Sequence, residues 1–250
     1  MRRSMLLGAA LLALAACNAG GGNNTAPANS ATNAAAANTI VPPPAPSGKL
    51  AQIFTPDILG ANVAYLETIT GPAFSTNGSD RIYKIDGCEV IVGSSNDGKI
   101  DNIGIQGYSA QCSFPIAQYF AGGYPYPVPN NPTFGDIKRG FGGTYGADCL
   151  TSCGNAANPV VYLSYQGSHA DNYNDLDAEV EVAADPVVTA YTDWGNKLIA
   201  KYGQDYVVNG QFNSGDNLDS VATADFAPIH PTTIRVGQNL PGPSSGDGGQ

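Results

Sequence analysis

The chemically capable side chains of this 250-residue chain are few in kind: two histidines, five cysteines and 21 acids. His169 begins the run His169-Ala170-Asp171-Asn172-Tyr173-Asn174-Asp175. As a calcium loop this run fails, since Tyr173 stands at loop position 3 and position 6 is not glycine. As a His–Asp catalytic pair it lacks a nucleophile motif such as Gly-x-Ser-x-Gly, and a solvated hairpin tip is the expected structure. Gly140, Gly142, Gly143 and Gly146 invite a phosphate-loop reading, but no Gly-Lys-Ser/Thr follows and no strand is read before them. Cys149-x3-Cys153 has neither a nearby histidine nor a second cysteine pair, so it matches zinc-ligand spacing poorly. It also lacks the Cys-x-x-Cys spacing of a redox-active pair. No catalytic residue, metal ligand or cofactor is assigned. A carboxylate pair brought together by folding stays open, because acids distant in sequence cannot be placed from spacing alone.

Cys17 has a different chemistry. It ends Leu14-Ala15-Ala16-Cys17, behind the apolar run Met5 to Leu14 and the basic pair Arg2-Arg3. The run is too short for a permanent span and reads as a signal peptide over residues 1–16. The pattern resembles the bacterial lipoprotein signal. That resemblance implies cleavage before Cys17 and acylation of its thiol and amine. Each buried methylene contributes roughly 0.8 kcal/mol, so two or three acyl chains hold nearly permanently. Asn18 in place of aspartate implies outer-membrane sorting, with the protein facing the periplasm or the cell surface.

The other four cysteines, Cys88, Cys112, Cys149 and Cys153, are an even set in an exported chain, so two disulfides are expected. Three connectivities are open. Cys88–Cys112 and Cys149–Cys153 are favoured because they join sequence neighbours within separate units. Lys and Arg number 11 against 21 Asp and Glu; without Arg2 and Arg3 the balance is nine against 21, a net charge of −12. Such a chain lacks the basic surface that nucleic acid requires. The same sign disfavours adhesion to anionic lipid, which leaves Cys17 as the membrane attachment.

Residues 17–48 carry Asn, Ala, Gly and a proline run with no apolar periodicity, and read as a flexible lipidated tether. Residues 237–250 read as a matching tail. Between them lie a unit at 49–119, a Tyr/Pro/Gly-rich loop at 120–133 and a second unit at 134–236. In the first, Thr55-Pro56-Asp57 predicts a helix start and Gly71-Pro72 its stop. Asp86-Gly87 and Asn96-Asp97-Gly98 then punctuate three alternating runs, Arg81–Ile85, Cys88–Ser94 and Lys99–Gln106, which predict a three-stranded meander. In the second, Phe134–Phe141 predicts a short helix and Asp148–Ala156 one tight helical turn closed by a disulfide and ended at Gly154. Val160–Gln166 and Leu176–Ala183 predict strands, the latter with one strongly acidic face. A long helix starts at Asp185-Pro186, Tyr206–Phe212 predicts a hairpin, and Thr232–Val236 a final edge strand. Ser214–Pro231 has little pattern. Helix, turn and two strands loosely echo the first unit. The fold class is therefore α+β: helices packed on antiparallel sheet, stapled by two disulfides, with two related halves permitted.

The run Leu66-Glu67-Thr68-Ile69-Thr70-Gly71-Pro72, with Asp97-Gly98-Lys99-Ile100 in the later hairpin, resembles the helix–meander units of two bacterial groups. These are the small lipoprotein of the outer-membrane barrel-assembly machine and the secreted β-lactamase inhibitor protein, which repeats the unit. The likeness covers about 55 residues and concerns topology, which does not transfer function. Three functions are expected in descending order. The first is a lipid-anchored, non-catalytic envelope protein that binds another envelope protein through a meander edge or sheet face. The second is an inhibitor-like binder of a secreted enzyme or peptide, docking through Tyr124 and Tyr126. The third is an envelope hydrolase built on carboxylates.

Overall fold

Alternating burial and tight turns build the first half of the chain. The computed structural model describes residues 48–121, 126–154, 158–214 and 219–240. Cys17, the tether up to residue 47, Tyr124 and the tail from residue 241 lie outside the described residues. Helix α1 (Gly48–Ile53) buries Leu50 and Ile53. The helix expected from Thr55 does not run through: a 3-10 turn covers Pro56–Ile58, and Gly60 takes φ 84°. Helix α2 (Val63–Thr70) starts afresh at Asn62, whose side chain accepts a hydrogen bond from the Ala64 N–H at 2.8 Å. Four antiparallel strands follow rather than three: β1 (Ser75–Asn77), β2 (Asp80–Ile85), β3 (Cys88–Ser94) and β4 (Ile100–Gln106). Asp86 and Gly87 both take positive φ, as the tight turn between β2 and β3 requires. β1 is too short, and too exposed on both faces, to leave an alternating pattern.

The second half has a capped helix and three further strands in sequence. Helix α3 (Phe134–Gly140) begins with a capping box, Thr133 and Asp136 each serving the other's backbone N–H. Of the glycines weighed as a phosphate loop, Gly140 ends α3, Gly142 and Gly143 connect it to strand β5 (Thr144–Ala147), and Gly146 lies within that strand, at the edge of the sheet. β6 (Val160–Tyr165) and β7 (Asp175–Glu181) fall where the apolar alternation placed them. The 148–155 stretch is irregular rather than helical through its described residues; the Tyr191 hydroxyl holds it by donating to the Cys149 carbonyl at 2.9 Å. Helix α4 (Val187–Tyr202) buries Ala190, Trp194 and Leu198 and ends at Gly203.

Three expectations after α4 are corrected. Tyr206–Phe212 is no hairpin: helix α5 (Gln204–Val208) and a 3-10 turn occupy it, with Val207 buried in the core, so packing overrides β propensity. Helix α6 (Asp219–Phe226) buries only Ala222 and Phe226, too sparse a pattern to announce a helix. Strand β8 (Thr233–Gly237) is not at the edge. It pairs antiparallel with both β4 and β7, giving one sheet in the order β1-β2-β3-β4-β8-β7-β6-β5.

The described residues belong to one compact unit, and both halves feed a single core. Inward side chains of the sheet, such as Tyr83, Val92, Ile103, Ile234, Ala178 and Leu163, join Leu50, Leu66, Phe134, Trp194, Val207 and Phe226 from the six helices. The chain is α+β, with helices on antiparallel sheet and disulfides Cys88–Cys112 and Cys149–Cys153. With a sequence separation of 24, the first contributes roughly 3.5 kcal/mol on the chain-entropy account. Among the described residues no helix is long and apolar enough to cross a membrane.

The two sheet edges differ. On β5 the outward backbone groups are taken by side chains: Asn213 accepts from the Ala147 N–H at 3.1 Å and donates to its carbonyl at 2.9 Å, while Asp219 accepts from the Tyr145 N–H at 2.8 Å. Asn213→Ala should therefore cost about 1–2 kcal/mol. It should also expose a pairing edge, read as a lower chemical-denaturation midpoint with concentration-dependent association in light scattering.

Candidate functional site

Strand alternation divides the sheet into two faces, and only one meets the helices. The second face carries Asp80, Ile82 and Lys84 of β2, Glu89, Ile91 and Gly93 of β3, and Asn102, Gly104 and Gln106 of β4. It continues with Thr233, Arg235 and Gly237 of β8, Asp175, Asp177, Glu179 and Glu181 of β7, and Val160, Tyr162 and Ser164 of β6. Its apolar members, Ile82, Ile91, Val160 and Tyr162, take no part in the hydrophobic core. The apolar side chains that the helices bury all belong to that core instead.

A buried polar network fills the middle of this face. Arg235, 5% exposed, reaches from β8 across β4 and β3 to Asp80 on β2. Its two terminal nitrogens donate to the two Asp80 oxygens at 2.7 and 2.8 Å. The second also donates to Asn102 Oδ1. Such bidentate pairing suits a planar guanidinium and would be lost with lysine. The path exists because of glycine. A Cβ on Gly104 would lie 2.6 Å from Arg235 Cγ and 2.3 Å from the Ile234 carbonyl oxygen. One on Gly93 would lie 2.5 Å from the Asn102 amide. Arg235 and Asn102 thus lie flat along the sheet in space that any larger residue would fill.

Asp177 stands opposite Arg235 in the β7–β8 register and is 6% exposed. The acidic face read on this strand is therefore not wholly solvated. Burial pushes the Asp177 carboxyl up and Asp175 adds to this, while a hydrogen bond from Ser164 and the Arg235 charge act downward. Glu179 is also pushed up, first by burial and then by Asp177, against the pull of Arg235. Tyr162, beside them, is raised to about 12 by burial and by Asp148 and Asp177. Arg235 is already committed to Asp80, and Lys84 to Glu89. No ion pair among the described residues involves Asp175, Asp177, Glu179 or Glu181.

Two clefts lie at opposite ends of the β4–β8–β7 seam. One, of about 600 Å³, is lined by Glu179, Glu181, Asp185, Gln106, Asn158 and Thr233, with no basic side chain in its wall. The other, of about 450 Å³, is lined by amides such as Gln118, Asn172, Asn174 and Gln238, with Lys99 and Asp101. Several of those amides serve the fold, because Asn174 donates to the Tyr119 carbonyl, Gln118 to Phe54 and Gln238 to Asn172. The 169–175 loop is accordingly no solvated tip: Asp171 and Asn174 are buried, and Asp171 accepts from the Tyr165 hydroxyl at 2.8 Å.

The residues singled out by sequence do not converge. His169 is exposed with its ring against Tyr173, and His230 pairs its Nδ1 with the Pro132 carbonyl at 3.0 Å. No group of three His, Cys, Asp or Glu among the described residues could hold a metal ion. Tyr126 is 52% exposed, while Tyr124 lies outside the described residues. The residues that do converge are Asp80, Asn102, Asp177, Glu179 and Arg235. Their sequence signal was the alternation along 175–181, together with glycines inside strands, which mark close approach.

Two measurements test this network. Arg235→Met should cost about 3 kcal/mol in urea unfolding, because it leaves half-buried Asp80 without its ion-pair partner and buried Asp177 without the neighbouring positive charge. Glu179→Gln should act in the opposite sense. A carboxyl raised in the folded state binds more protons there than in the unfolded chain, so its contribution to stability falls as pH rises from its ordinary value through the raised one. The variant should melt higher than the parent at pH 7, and the gap should close below pH of about 4, where both states are protonated. Compared with protein-family models, curated proteins and solved structures, the chain matches none, which leaves this geometry to carry the functional argument.

Proposed function

We propose that this chain is a lipid-anchored protein of the bacterial cell envelope, held by Cys17, that binds a partner protein through the helix-free face of its sheet. The carrying observation is the division of the sheet. The described helices bury their apolar side chains on one face, while the other displays a preorganised polar network flanked by a cleft. A rigid face of this kind suits recognition, because little side-chain freedom remains to be lost on binding. Phe74 supports the same reading. It is exposed beside the short β1 edge with the Lys84 ammonium 5.3 Å from its ring centroid, an aromatic anchor at the rim of the face. Edge pairing is limited to β1, since side chains already occupy the β5 edge.

Position-specific crosslinking in the intact, acylated chain tests the reading. A photo-crosslinking residue at Gln106, exposed on the helix-free face, should give a discrete adduct with another envelope protein. The same residue at Asp193, exposed on α4, should give none. Equal adducts from both positions, or none from Gln106, would overturn it.

A further inference from the structure

We infer that the partner presents an extended, basic segment, with lysine or arginine at alternate positions, that lies over β7. This rests on the sheet-face reading above and names the chemistry of its occupant. The helix-free face carries Asp80 and Glu89 on its β2–β3 side, and each has its own cation in Arg235 and Lys84. Asp175, Asp177, Glu179 and Glu181 then remain, all on one strand and all facing one way. Among the described residues nothing basic lines the 600 Å³ cleft into which the stripe runs, and Asp185 adds a further carboxylate to its wall. Like charges at alternate positions of one strand repel, and burying two of them partly out of water raises the cost. The fold sustains that cost along a single stripe, where a cationic partner would relieve it.

The repeat selects the shape of the cation. Alternate residues of a strand stand roughly 7 Å apart, and an extended peptide with a basic residue at every second position has the same spacing. Long lysine or arginine stems can bridge the roughly 10 Å between stacked strands while keeping their charges at the carboxylates. Glu181 is exposed and Glu179 half-buried, so both are open to such contact from the cleft. Asp177 lies deeper and acts through its field.

The probe is a fluorescein-labelled peptide of alternating lysine and threonine, titrated with the intact chain in detergent at low and at physiological ionic strength. Saturable one-to-one binding is expected, weakening steeply with salt. E179Q/E181Q should raise Kd at least tenfold. D193N/D205N removes the same charge from the helix layer and should leave Kd within twofold. Failure of the peptide to bind saturably overturns the inference, as does equal weakening by the two double variants, which would mean attraction to net charge alone. The docking reading fails separately. If the Gln106 adduct forms but the basic peptide neither binds nor competes with it, the face docks a partner of other chemistry. If neither occurs, both readings fall.

Discussion

The last strand of the chain, β8, enters the sheet between β4 and β7, and most of the molecule depends on that insertion. The contacts are long-range: Ile103 and Ile105 of the first half meet Val236 and Ile234, which face Leu176 and Ala178 of the second. Closing such loops costs chain entropy, which the ladder bonds on both sides of β8 and the apolar contacts of the seam must offset. Arg235 extends the same strand's influence sideways to β2. One residue of β8 thereby bonds to two strands of the first half, β2 and β4, while standing opposite the acidic strand of the second.

Glycine makes this arrangement possible. In most sheets an interior glycine weakens the strand, yet Gly93 and Gly104 are where the polar side chains lie down. Arg235 and Asn102 are both removed from water, and the Asn102 amide donates onward to the Gln238 and Asn239 carbonyls just after β8. The result is a surface whose polar groups are fixed before any partner arrives. Its imbalance of charge is local, since the cations of β2 and β8 are spent within the first half and at the seam.

Much of the fold was legible because it is written in short-range rules. Asp86-Gly87 and Asn96-Asp97-Gly98 announce turns, alternation from Tyr83 to Val92 announces a buried face, and the disulfides join sequence neighbours. What escaped was set by distant partners. Thr232–Val236 has the composition of any short strand, and nothing local shows that both of its edges will be covered. Val207 reads as β-forming until the core receives it as part of a helix. The site lay deeper still. The acids of β7 are visible in the sequence, but Arg235 lies more than fifty residues away and Asp80 nearly a hundred, and neither carries a motif. Their meeting follows from strand order, which alternation cannot supply.

The two ends of the sheet have unequal prospects for growth. At β5 the strand-like role is already played by Asn213 and Asp219, so no further chain can add there while they stay in place. At β1 three exposed residues remain open. A sheet with one open end cannot propagate, because a second copy joining β1 to β1 uses up both open ends and completes a symmetric pair. At high local concentration, sheets with two open edges can go on adding copies and assemble into fibres. A single open edge would instead stop edge-to-edge growth at two.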